Sequence, residues 1–177
     1  MISSGKCRHG KFTWFDNDIV IGKSLATYGE YCEWEIMCLE QLIEPEWHIA
    51  DIGANIGTHT VPLGKLAHKG YILAFEPNEL SRNLLQKNLK ENHITNSQIY
   101  PFALSKNHGN RYLSNYNPQK PGNYGEASLN NSGEMMELVS TMRLDQIKFQ
   151  RLDLIKCDVE GEEPSVFKGA KHTLEEH

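Results

Sequence analysis

The chain has 177 residues, 39% of them hydrophobic, 23% charged and 9% aromatic, which suffices for one globular core and is short for two. Eighteen Lys and Arg stand against 23 Asp and Glu, a net charge of −5, which argues against affinity built on neutralising phosphates and so against a nucleic-acid partner. No apolar run approaches the ~18 residues of a membrane span, and the amino terminus MISSGKCRHGKF has no apolar stretch to act as a signal peptide, so the expectation is a cytoplasmic protein without a membrane partner.

Lys11 to Gly22 places Phe12, Trp14, Ile19 and Ile21 around the turn-prone Asp16-Asn17-Asp18 and predicts a short hairpin, a lid or edge outside the core. Glu33 to Ile43 carries Trp34, Met37, Cys38 and Leu42 at helical spacing, with Pro45 as the stop. A strand is expected over Trp47 to Ile52, broken by Gly53, and then a helix from Thr58 to Leu66, with Thr58 as its cap and Pro62 in its first turn.

Tyr71-Ile72-Leu73-Ala74-Phe75 is continuously apolar, as in a parallel strand covered on both faces. Leu80, Leu84, Leu85 and Leu89 repeat at helical spacing, a polar stretch runs from Lys90 to Ser97, and a third strand is expected over Gln98 to Leu104. Ser105 to Ser132 has no sustained period and reads as a long insertion with one hairpin. Leu152 to Cys157 gives a fourth strand, then Asp158-Val159-Glu160-Gly161 and a helix from Pro164. The fold class is therefore α/β, a parallel sheet with helices on both faces.

Cys7, Cys32, Cys38 and Cys157 form no C-x-x-C pair and read as reduced thiols. The eight His show no metal-ligand spacing, so no metal is expected. Asn130-Asn131-Ser132 matches the glycosylation sequon, a tripeptide common by chance, and is set aside.

The chemistry concentrates at the strand ends. Asp51-Ile52-Gly53-Ala54-Asn55-Ile56-Gly57 is a Gly-rich turn between a strand and a helix, where backbone without Cβ atoms can approach a ligand. Glu76 ends the next strand, 19 residues beyond Gly57, near the ~20 at which an acid receives ribose hydroxyls in nucleotide-binding βαβ units. The pattern D-x-G-x-N-x-G departs from G-x-G-x-x-G: Asp51 would repel a pyrophosphate and Asn55 replaces the central glycine. A carboxylate here suits a cationic ligand such as S-adenosylmethionine, which carries an ammonium and a sulfonium. Gly64-Lys65 is followed by Leu66 and does not make a Walker motif.

Tyr28-Gly29-Glu30-Tyr31 with Glu35, DIGANIGTHT at Asp51 to Thr60, AFEP at Ala74 to Pro77, Asn123-Tyr124-Gly125, TMRLD at Thr141 to Asp145 and IKCDVEGEE at Ile155 to Glu163 occur in this order. Together they resemble FkbM-type methyltransferases over nearly all of the chain from Tyr28. The resemblance implies a class I, seven-stranded Rossmann-like fold and S-adenosylmethionine as cofactor. It also implies methylation of a hydroxyl on a small molecule or saccharide.

Position by position, it implies that Gly53, Asn55 and Gly57 lie under the methionine portion, ordered by Asp51, with Thr58 and His59 lining the same pocket. Glu76, followed by Pro77, would take the ribose hydroxyls, and Ala103-Leu104 would lie beside the adenine. Asn123 and Tyr124 would cover the acceptor. Asp158 and Glu160 would face the transferable methyl, one of them as general base, while for Glu162 a place in the site and a solvated turn before the helix are equal alternatives.

The expected division is 1–32 as hairpin and lead-in and 33–177 as the methyltransferase domain. Four of the family's seven strands are present before His177. Either the C-terminal part of the fold is absent, or a short chain forms a homo-oligomer through the exposed edge of its fourth strand. Two other functions fit the same residues: a module that binds S-adenosylmethionine without methyl transfer, and an NAD-dependent oxidoreductase, which Asp51 and Asn55 disfavour.

Overall fold

In the computed structural model, which describes residues 1–115, 117–129 and 135–177, the chain opens on an antiparallel hairpin, β1 (Ile2–Cys7) and β2 (Gly10–Phe15). Its turn is at Arg8-His9. The turn expected at Asp16 to Asp18 is present, closed by the Asp18 N–H donating to the Phe15 carbonyl at 3.2 Å, but it leads into a helix, α1 (Ile21–Tyr28), and not into a second strand: the Asp18 carboxylate accepts the Val20 N–H at 3.0 Å and the Gly22 N–H at 3.1 Å. The hairpin is core and not lid, because Phe12, Trp14 and Phe15 are buried in one cluster with Leu84, Leu85 and Leu89. Residues 1–32 accordingly share their core with the rest of the chain.

The second helix, α2 (Glu33–Glu40), corrects the sequence reading by its orientation. Trp34, Met37, Cys38 and Leu42 are exposed, and the buried residues are Ile36 on the helix and Ile43 just beyond it. Helical spacing identified a stripe, and the stripe faces water.

The central layer follows. It comprises β3 (His48–Ile52), α3 (Thr60–Leu66), β4 (Tyr71–Phe75), α4 (Glu79–Glu91) and β5 (Ser97–Tyr100). Ile49, Ala50, Ile52, Ile72 and Ala74 are buried, so both faces of β3 and β4 are covered, as the unbroken apolar run of β4 requires. Helix α3 begins two residues later than expected and has no side-chain cap: Thr58 lies ahead of it, and the Thr60 hydroxyl donates to Asp51 Oδ2 at 2.6 Å. In α4 the cap is Asn78, whose Oδ1 accepts the Ser81 N–H at 3.0 Å, and the buried face runs Ser81, Leu84, Leu85, Asn88, Leu89, leaving Leu80 partly exposed.

The third predicted strand is two pieces. Pro101, which lacks an N–H, follows β5, and β6 (Ala103–Leu104) belongs to a second sheet. That sheet is completed by β7 (Gly109–Asn115) and β8 (Met135–Met142), antiparallel to each other, in the order β6-β8-β7. The insertion expected over Ser105 to Ser132 ends short of β8, whose sequence MMELVSTM shows no apolar alternation to mark a strand. The sequon Asn130-Asn131-Ser132 lies outside the described residues.

Finally β9 (Leu154–Cys157) joins the parallel sheet, in the order β5-β4-β3-β9, followed by α5 (Glu163–Lys168) and α6 (Lys171–Glu176). The expected single C-terminal helix breaks at Gly169, where a Cβ would stand 2.2 Å from the Ser105 carbonyl oxygen. Ile52 pairs with Phe75 on one side and Cys157 on the other, so three strands end in register. The loops at Gly53, Glu76 and Asp158 therefore leave the sheet side by side, where ligands of open α/β sheets bind.

Candidate active site

The β3 loop is shaped by backbone that side chains would obstruct. Gly53 has φ 81°, and a Cβ there would lie 1.9 Å from the Asp158 carbonyl oxygen, so only glycine lets this loop pass against the end of β9. The Gly53 and Ala54 N–H groups both donate to the Phe75 carbonyl at 3.0 Å, which pins the loop to β4. Asn55 follows in the left-handed region at φ 48°.

That turn aims the Asn55 N–H at Glu76. Glu76 Oε2 accepts it at 2.8 Å and Oε1 accepts the Asn78 N–H at 2.8 Å, which fixes the carboxyl plane. Burial pushes the Glu76 carboxyl up to about 7, against the two N–H donors and the Arg82 and Lys156 charges. Each oxygen keeps a lone pair beyond its backbone bond, so the group can still accept from a pair of vicinal hydroxyls.

Asp51, also fully buried, serves the loop from behind. Its Oδ2 takes the Thr60 hydroxyl, and Lys156 Nζ lies 3.3 Å from Oδ1 as a charge contact lacking hydrogen-bond alignment. Lys156 also donates to the Gly53 carbonyl at 3.2 Å and approaches Asp158 Oδ2 at 3.9 Å. Burial works against the Lys156 ammonium, but Asp51 and Asp158 outweigh it and hold its pKa above the ordinary lysine value. The carboxylate that the sequence reading offered to a cationic ligand is thus compensated within the protein.

At the end of β9, Asp158 and Glu160 are exposed, and Glu160 (φ 52°) and Gly161 (φ 93°) both turn through the left-handed region. Burial, together with Asp158, Glu126 and Glu163, raises the Glu160 carboxyl. Of the two readings open for Glu162, the structure has it lining the cleft: Arg111 on β7 grips it at 2.8 and 3.1 Å and also donates to the Leu129 carbonyl. This bidentate pair ties the second sheet to the rim of the cleft.

One cleft gathers Gly53, Asn55, Thr58, His59, Glu76, Pro77, Ala103, Leu104, Tyr124, Asp158 and Glu160. Asp51, Gly57 and Asn123 are not among its lining residues. Gly57 turns the loop at φ 90°, a conformation that favours glycine, with Leu85 Cδ1 2.7 Å from where a Cβ would stand, and Asn123 Oδ1 accepts the Gly125 N–H in its own turn. The Tyr124 hydroxyl donates to the Lys120 carbonyl at 2.9 Å, with the Asn117 carbonyl at 3.2 Å sharing the same hydrogen, and the buried ring lines the cleft.

Sequence reasoning missed Lys156 and the apolar roof of Phe102, Leu113 and Leu129. The Lys156 signal was present: a lysine inside an apolar strand, two residues before Asp158 and so on the same strand face, requires a buried partner.

The family model described as the methyltransferase FkbM domain matches residues 51–177. "Methyltransferase 1" of Beauveria bassiana (strain ARSEF 2860) is 27% identical over 143 residues, covering 68% of this chain and 57% of that protein. "Methyltransferase sdnD" of Sordaria araneosa is 30% identical over 162 residues, covering 73% of this chain and 61% of that protein. The chain thus spans less than two thirds of the length of these relatives. Among solved structures, TYW2 of P. horikoshii in complex with MeSAdo is 16% identical with a TM-score of 0.48, covering 58% of this chain and 36% of that one. With the family model matching most of its length, the chain belongs to the methyltransferase FkbM domain family.

Proposed function

We propose that the cleft binds S-adenosylmethionine and that the chain is the cofactor-binding part of a methyltransferase acting on a hydroxyl of a small molecule or saccharide. The observation that carries this reading is the Glu76 carboxyl, buried and oriented by the Asn55 and Asn78 amides at the end of β4. Glu76 would hold the ribose hydroxyls and the Gly53 to Asn55 backbone the methionine portion. Phe102, Ala103 and Leu104 would give the adenine an apolar slot.

Bound there, S-adenosylmethionine supplies an electrophilic methyl. The chain's own residues align the acceptor and exclude water, and alignment contributes most of the acceleration in such a displacement. Asp158 and Glu160 stand at the strand end that faces the acceptor and can hold its hydroxyl by hydrogen bonds. The test is thermal unfolding with S-adenosylhomocysteine or NAD. A ligand that binds only the folded state at 100 times its Kd stabilises by about 2.7 kcal/mol. The reading requires stabilisation by S-adenosylhomocysteine, and stabilisation by NAD alone contradicts it. For the transfer itself, methylation is measured in Asp158→Asn and Glu160→Gln, and full turnover in both removes these two residues from the reaction.

A further inference from the structure

His59 is a buried titratable side chain on the cleft wall to which the proposed function gives no chemical step. It is 5% exposed and follows the Gly53 to Gly57 loop at the start of α3. Its Nε2 lies 3.1 Å from Glu35 Oε2 on α2, without the alignment of a hydrogen bond. Among the described residues Nδ1 has no hydrogen-bond partner. The Tyr31 ring stands edge-on to the imidazole at 6.5 Å. The charged groups that act on it are Glu35 from α2, Asp51 from β3, Lys156 from β9 and Asp158 at the end of β9. Burial and Lys156 lower its pKa against the three carboxylates, which favours the neutral ring.

A neutral imidazole has one N–H and one lone-pair nitrogen, and the negative charge of a carboxylate beside one nitrogen favours the tautomer with its proton there. Among the described residues at this end of the cleft, Asp158 and Glu160 are exposed, with Lys156 3.9 Å from Asp158, and Glu162 is held by Arg111.

We infer that His59 Nδ1 takes the proton of the acceptor hydroxyl and that Glu35 is the positioning residue that keeps the Nε2–H turned toward α2. The inference rests on the methyl-transfer reading. As the O–H bond breaks, its proton goes to Nδ1 and its electron pair stays on oxygen. An oxygen pair forms the bond to the methyl carbon, and the pair of the broken carbon–sulfur bond remains on sulfur. The Glu35 carboxylate offsets the charge of the resulting imidazolium until solvent removes the proton.

The decisive experiment is ¹⁵N-histidine NMR of the whole chain saturated with S-adenosylhomocysteine at pH 7.5, with binding checked by calorimetry. His59 should be neutral with its proton on Nε2, and Glu35→Gln should shift its tautomer population toward Nδ1–H at least threefold. A cationic ring or an Nδ1–H tautomer in the wild type overturns the inference, and an unchanged population in Glu35→Gln overturns the role of Glu35. Methyl transfer to glycerol and methyl glucoside gives a second readout. His59→Asn should lose at least 100-fold in kcat, within the range of general-base contributions, while its S-adenosylhomocysteine affinity falls less than tenfold. Equal kcat in His59→Asn and wild type overturns the inference. NMR decides the matter whether or not these two acceptors are turned over. Failure of the wild type to bind S-adenosylhomocysteine defeats the underlying reading, whereas binding with a cationic His59 defeats this inference alone.

Discussion

Lys156 Nζ lies 3.3 Å from Asp51 Oδ1 between neighbouring parallel strands, with both side chains almost wholly buried. Removing one partner of such a pair strands the other charge. Lys156→Met should therefore cost about 3–5 kcal/mol in urea unfolding, and Asp51→Asn combined with Lys156→Met should recover much of it. Equal stability of the single variant and the wild type would show that the pair is solvated.

Glu76 titrates upward, to about 7, chiefly through burial. A carboxyl whose folded pKa exceeds its unfolded value stabilises fully below the unfolded pKa, and that contribution is lost as pH rises through the folded value. The ligand-free chain should therefore lose stability between about pH 4.5 and 7, and Glu76→Gln should flatten this part of the profile. Affinity for S-adenosylhomocysteine should move the opposite way and rise from pH 6 to 8, because the ionised carboxylate is the stronger acceptor. Calorimetry across this range checks both the sign and the loss of the trend in Glu76→Gln.

At Gly53 an added methyl meets the Asp158 carbonyl at 1.9 Å, with φ at 81°. Backbone cannot yield as a flexible side chain does. Gly53→Ala should lower stability by about 2 kcal/mol or more and abolish S-adenosylhomocysteine binding. Binding at wild-type affinity in this variant would show that the loop has another low-energy path.

Asn88 joins three elements without reaching water. Its Oδ1 accepts the Thr13 N–H at 2.7 Å, and its Nδ2 donates to the Thr13 and Ile56 carbonyls at 3.0 and 2.8 Å. Asn88→Leu leaves three buried backbone groups unsatisfied. At about 1–3 kcal/mol for each stranded group, a loss of at least 3 kcal/mol is expected in thermal or urea unfolding. A loss below 1 kcal/mol would mean that the hairpin contributes little to the core.

Much of this architecture is legible in the sequence where one physical demand dominates. The unbroken apolar run of β4, the helical period of α4 and the acid at the end of β4 each allow one arrangement. Legibility fails where demands compete. Trp34 and Leu42 lie on an exposed stripe, so period alone chose the wrong face of α2. In β8 Val139 is buried while Met136 and Leu138 face water, an apolar residue on each face, and no alternation appears. Asp51 was readable as important but not as compensated, because its partner Lys156 is 105 residues away and meets it only through the pairing of β3 with β9.

The most direct measurement is a calorimetric titration of the chain at pH 8 with S-adenosylhomocysteine, repeated with NAD and with Glu76→Gln. Binding at the cleft requires saturable one-to-one heat with S-adenosylhomocysteine, none with NAD, and at least a tenfold weaker Kd in Glu76→Gln. Heat from NAD alone, or an unchanged Kd in Glu76→Gln, would contradict it.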